Sequence, residues 1–107
     1  MEAHDQYAGL RKGLLEMALL ALMGRGRAYA GDMLKRLEPT PLATQEGTLY
    51  PLLSKLRREE IVDYEWQESA AGPPRKYYQL TDKGRARLAD LSAYWHSLNL
   101  TLQDLGL

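Results

Sequence analysis

Ser54, Lys55 and Arg58 share the outward side of a stretch whose leucines, Leu49, Leu52, Leu53 and Leu56, recur at the i, i+3, i+4, i+7 spacing of an amphipathic helix. Gly47 and Pro51 lie on the same outward side, flanked by Tyr50 and Lys55. Such a face is small, polar, aromatic and basic. Hydroxyls and cations of this kind donate to phosphate oxygens and base edges, Tyr50 can add a phosphate hydrogen bond, and a glycine at the helix start lets backbone amides approach a phosphate. A second basic pair, Arg75 and Lys76, follows the Gly-Pro-Pro turn at residues 72–74. There it can grip a sugar-phosphate backbone or enter a minor groove. Taken alone, either group also fits a solvated basic surface.

The chain holds little that fits catalysis. His4 and His96 stand far apart with no catalytic or metal-ligand spacing around either, and Glu59 and Glu60 sit at a helix end without a pocket signal. Cysteine is absent, so disulfides, thiolate metal sites and cysteine nucleophiles are excluded. The expectation is a chain without enzymatic activity, cofactor or metal.

The elements that must carry these groups follow from pattern. Residues 10–23 are apolar nearly all round and predict a helix covered on more than one side, stopped by Gly24 and Gly26. A second helix is expected over 28–37, with Met33, Leu34 and Leu37 on one face and Pro39 and Pro41 ending it. The third, over 44–60, tolerates Pro51 if that residue falls in the first turn. The period then changes to 2: Val62, Tyr64 and Trp66 alternate with Asp63, Glu65 and Gln67, as in a half-buried strand. A loop, SAAGPP, precedes a second strand expected to start near Arg75, because prolines cannot donate to a ladder. Of Tyr77 and Tyr78, one faces the core. Thr81 reads as an N-cap, with Asp82 in the first turn of a last helix that runs almost to the carboxyl end.

In that helix Leu88, Leu91, Trp95, Leu98, Leu102 and Leu105 form an a/d seam. It is too short for a free-standing coiled coil, and too apolar for a domain of this size to cover alone. A twofold dimer is expected, each last helix packing on its mate and on the partner's first helix. Three helices, a hairpin and a closing helix make a mainly α (α+β) winged helix-turn-helix, divided into a DNA-binding domain over 1–80 and a dimerisation helix over 81–107.

At 107 residues with 45% hydrophobic side chains, the chain suits one modest core. Fourteen basic residues balance fourteen acidic ones, which lowers the expectation of nucleic-acid binding, but the charges are segregated. Residues 10–37 hold six bases against two acids, and residues 59–68 hold five acids and no base. The start has no signal-peptide pattern, and the longest apolar run, 17–23, falls short of the ~20 residues of a membrane helix. A cytoplasmic protein without membrane contact is expected.

The run GTLYPLLSKLRREEIVDYEW, joined to GPPRKYYQLTDKGRARL, resembles the PadR family of transcriptional regulators. With the apolar first helix, the resemblance spans roughly 10–88. It implies a homodimer whose third helices and wings bind a palindromic double-stranded DNA operator, usually repressing transcription. The DNA-contacting candidates are Gly47, Thr48, Tyr50, Ser54, Lys55, Arg58, Arg75 and Lys76. The chain departs from the family pattern in two places. Glu60 stands where a glycine commonly closes the third helix, so the left-handed turn there is either strained or built differently. Ala30 and Gly31 replace a frequent Gly-Tyr pair. A winged-helix protein-interaction module without DNA binding is the competing reading, disfavoured because its interface would need apolar anchors where Ser54, Lys55 and Arg58 stand.

Trp95 is the only aromatic in a leucine seam. It fills the dimer core, or it faces its twin across a gap; the resemblance implies that short family members hold flat aromatic compounds there. On that implication Trp95 and Asn99 contact a planar aromatic small-molecule effector, with Leu14 and Ala18 of the first helix as wall.

Overall fold

The apolar spacing resolves into six elements in the computed structural model, which describes residues 5–107: α1 (Ala8–Gly24), α2 (Ala30–Leu37), α3 (Glu46–Arg58), β1 (Val62–Ser69), β2 (Gly72–Leu80) and α4 (Asp82–Asp104). His4 lies outside the described residues. The helices converge on one core because each turns a leucine face inward: Leu15, Leu19, Leu20 and Met23 from α1, Met33 and Leu37 from α2, Leu49, Leu53 and Leu56 from α3. The antiparallel hairpin closes this core with Val62, Tyr78 and Leu80. Each fully buried leucine contributes about 1.5–3 kcal/mol. Tyr78 is thus the inward member of the tyrosine pair. Among the described residues no helix is long and apolar enough to cross a membrane.

Three of the boundaries that differ from the expectation have a local reason. Helix α2 starts at Ala30, not Ala28, because Ala28 is drawn into a backbone bridge with Tyr78, donating at 3.0 Å and accepting at 2.8 Å. Helix α3 starts at Glu46, so Pro51 falls in its second turn and not its first. The proline leaves the Gly47 carbonyl without its helical donor, and Gly47 is exposed, so water can serve that carbonyl. Strand β2 begins at Gly72 and includes both prolines. Gln67 pairs with Arg75 and Ser69 with Gly72, which leaves Pro73 and Pro74 together opposite Glu68. The prolines occupy a bulge, where a ladder donor is not required. The turn is therefore only Ala70 and Ala71.

Glu60 adopts φ 62, the one positive φ among the described non-glycine residues. The left-handed closure is kept: Glu60 N donates to the Arg57 carbonyl at 3.0 Å and Ile61 N to the Leu56 carbonyl at 2.9 Å, the paired bonds of a Schellman turn. A side chain there costs roughly 1–2 kcal/mol. Glu60→Gly removes that strain and keeps both bonds, so the urea midpoint rises by the equivalent of about 1 kcal/mol after the added chain entropy of glycine. An unchanged or lower midpoint would show that the Glu60 side chain repays its strain.

Helix α4 begins as read. Thr81 Oγ1 accepts from Gly84 N at 3.0 Å, and Asp82 stands in the first turn, ion-paired with Arg85. Leu88 and Leu91 pack against the core, whereas Trp95, Leu98, Leu102 and Leu105 are 36%, 38%, 42% and 77% exposed.

Candidate nucleic-acid interface

Strand alternation sorts the hairpin into two chemical faces. The pairs Val62 with Leu80, Tyr64 with Tyr78 and Trp66 with Lys76 share one face; Glu65 with Tyr77 and Gln67 with Arg75 share the other. The first face looks toward α3, and a cleft runs between them. One hollow of about 190 Å³ is bounded by Ser54, Arg57 and Arg58 of α3 and by Tyr64 and Lys76 of the hairpin. A second, of about 280 Å³, lies between Tyr50, Tyr29 and the hairpin residues Trp66, Arg75 and Lys76. Lys76 and Tyr78 line both, so the hollows adjoin. Burial pushes the Tyr78 phenol above its ordinary pKa, an effect to which Tyr50 and Tyr64 add, and it remains a neutral hydroxyl at the cleft floor.

Three cations of the cleft, Arg57, Arg75 and Lys76, rest on rings. The Arg57 guanidinium and the Lys76 ammonium each lie 4.5 Å from the Tyr64 ring centre, Lys76 also lies 5.4 Å from Trp66, and Arg75 sits 4.5 Å over Tyr29. Among the described residues none of Arg57, Arg58, Arg75 and Lys76 is paired with a carboxylate. Some basic groups elsewhere are paired: Arg27 with Glu65 at 3.4 Å, and both Lys55 and Arg87 with Glu16 at 3.5 Å. Stacking fixes a cation and leaves its N–H groups free to donate. The cleft is therefore lined with oriented donors that lack an internal anion.

The structure divides the sequence candidates. Tyr50, Ser54, Arg58, Arg75 and Lys76 gather along the cleft. Gly47 and Thr48 stand at the leading end of α3, and Thr48 lines a separate groove with Arg11 and Lys12 of α1. Lys55 turns toward α1 and its ion pair with Glu16. The sequence reading passed over Arg57, Tyr64 and Tyr29. Arg57 follows Ser54 by one helical turn and so was visible as a neighbour on the outward face; the roles of Tyr64 and Tyr29 depend on contacts between elements. Of the effector candidates, Leu14 and Ala18 are half-buried on α1, while Trp95 and Asn99 are exposed on α4. The hollows of the cleft include none of the four.

Comparison with known proteins gives a consistent result. A family model described as the transcriptional regulator PadR-like family matches residues 19–90. The chain is similar to a PadR-like transcription factor from Bacteroides fragilis of known crystal structure, with 44% identity and a TM-score of 0.80 over 92% of this chain and 96% of that one. A PadR-like transcriptional regulator from Bacillus cereus superposes with a TM-score of 0.84 at 29% identity, over the same shares of the two chains. An uncharacterised protein of Lysinibacillus sphaericus is 33% identical over 51 residues, which span 48% of this chain and 47% of that relative, about half its length.

Proposed function

Because the chain belongs to the PadR-like family of transcriptional regulators, we propose that it represses transcription as a homodimer on a palindromic operator, held through the cleft between α3 and the β1–β2 wing. Membership makes it a DNA-binding regulator and not an enzyme. The observation that carries the interface is the set of ring-stacked cations without carboxylate partners along the cleft. Helix α3 supplies Tyr50, Ser54 and Arg58 to a major groove, and Arg57 of α3 and the wing's Arg75 and Lys76 face the adjoining backbone. Thr48 and Gly47 bring the start of α3 toward a phosphate. Lys55 joins this set by leaving Glu16, because phosphates near α3 compete for its ammonium. The exposed seam of α4 supplies the twofold contact, and Trp95 within it, with Asn99, Leu14 and Ala18, forms the site for a planar aromatic effector.

The test is a footprint on the DNA upstream of the protein's own gene. Two protected half-sites about one helical turn, ~34 Å, apart are expected. Arg75→Ala weakens binding to specific and unrelated duplexes alike and lowers the log–log salt slope by about one, as loss of a phosphate contact does. Wild-type affinity and slope in that variant would remove the wing from the interface.

A further inference from the structure

We propose that Tyr64 is a positioning residue whose ring presents Arg57 of α3 and Lys76 of the wing together to one phosphate strand. The inference rests on the interface proposed above and adds Tyr64 to it, as the group through which Arg57 and Lys76 act as a unit.

The ring is fixed before it meets any cation. Tyr64 pairs across the hairpin with Tyr78, whose buried ring lies 5.6 Å away at 57°, and meets Trp66 edge-on at 6.2 Å. Arg57 and Lys76 come from different elements, yet both stand 4.5 Å from its centre. The two charges are thus no further apart than twice that distance, and they repel. Among the described residues neither cation is ion-paired with a carboxylate. The nearest acids on the same strand, Asp63 and Glu65, alternate to the opposite face, and Glu65 is taken by Arg27. The contact that the two cations share is the electron-rich ring. A phosphate entering the hollow that Arg57, Lys76, Ser54 and Arg58 share meets two donors already in place, and relieves their repulsion. Because one cation rides on α3 and the other on the wing, the ring also fixes the distance between the two reading elements.

The experiment measures binding of the full chain to a mixed-sequence duplex as a function of salt, for Tyr64→Phe and Tyr64→Leu. The phenylalanine variant keeps the ring and binds within about twofold of wild type. The leucine variant keeps an apolar filler but no ring; it loses about tenfold at low salt, and its log–log salt slope falls by between one and two. A side chain that only fills space would lower the melting temperature without changing the slope. A folded Tyr64→Leu with wild-type affinity and slope, or a Tyr64→Phe as weak as Tyr64→Leu, overturns the proposal. If Tyr64→Leu does not fold, Arg57→Ala, Lys76→Ala and their double variant decide: the double loses less than the product of the single fold-losses if the pair acts on one phosphate strand, and strict additivity overturns it. A wild-type chain that binds no duplex at low salt refutes the interface itself; wild-type binding with unaffected variants refutes only the clamp.

Discussion

Gly84→Ala is expected to cost the protein about 3 kcal/mol or more, a large share of the ~5–15 kcal/mol that holds a domain folded. The cause is space. A Cβ on Gly84 would overlap the Ile61 carbonyl oxygen and stand 3.1 Å from its carbonyl carbon and 3.3 Å from Leu80 Cδ2. A flexible side chain could rotate away, but the obstacle is backbone. That backbone is pinned on both sides: Ile61 N donates to Leu56, Thr81 N donates to the Ile61 carbonyl at 3.1 Å, and Thr81 Oγ1 donates to the Glu60 carbonyl at 2.6 Å. Making room means pulling α4 off the end of α3 and the start of β1, and with it the cap that Thr81 gives to Gly84. Urea unfolding should show the midpoint falling steeply, with a larger fall for Gly84→Val. A wild-type midpoint in the alanine variant would show that the close approach is not structural. The same junction sets where α4 leaves the body, so variants that still fold should bind DNA less well at a temperature where they remain native.

How much of this was legible in the sequence depended on whether a pattern lay within one element. The leucines of α3 and the Thr81 cap each belong to a single helix and were read correctly; of the alternating Val62, Tyr64 and Trp66, the first two turn to the core and Trp66 is left exposed. Prolines misled in both directions. A proline in a helix or ladder removes one donor, and what decides its place is whether the partner acceptor can do without that donor. At Pro51 the acceptor is the exposed Gly47; at Pro73 and Pro74 a bulge removes the need, as Ser69 pairing with Gly72 shows. Neither condition is written in the neighbouring residues. The candidate site was legible as a list of cations but not as an arrangement. Lys55 and Arg57 are equally basic and flank Ser54 on opposite sides of the wheel; the wheel separates them but does not show that Glu16 from α1 claims the first and Tyr64 from β1 carries the second.

Leu98→Glu is expected to turn a dimer into monomers at micromolar concentration and to abolish operator binding with it. Beyond Leu91, helix α4 leaves its own core, and Trp95, Leu98 and Leu102 keep between a third and a half of their surface in water. Their 3-and-4 spacing continues the line of Leu88 and Leu91, so the seam passes without a break from the chain's own core to a face that a second copy can cover. A twofold axis repeats any change in the seam on both helices. One substitution therefore buries two unpaired carboxylates, at a cost of several kcal/mol that weakens association by ~100-fold or more. Leu100 provides the control, because it is exposed on the opposite side of α4; Leu100→Glu should leave both mass and affinity unchanged. Light scattering reads the outcome directly. A monomeric wild type, or a Leu98→Glu chain that remains dimeric, would remove the seam from the interface. The proposed effector site depends on the same contact, so it is tested in the same chains. With Trp66→Phe as background, Trp95 is the sole indole, and a planar aromatic dye should quench it in the dimer and leave it unquenched in the Leu98→Glu monomer. Equal quenching in both would place the dye on one chain alone, and quenching in neither would make Trp95 a filler of the seam. Only a difference between dimer and monomer gives the effector a route to DNA, since a ligand held by both chains can change the separation of the two clefts.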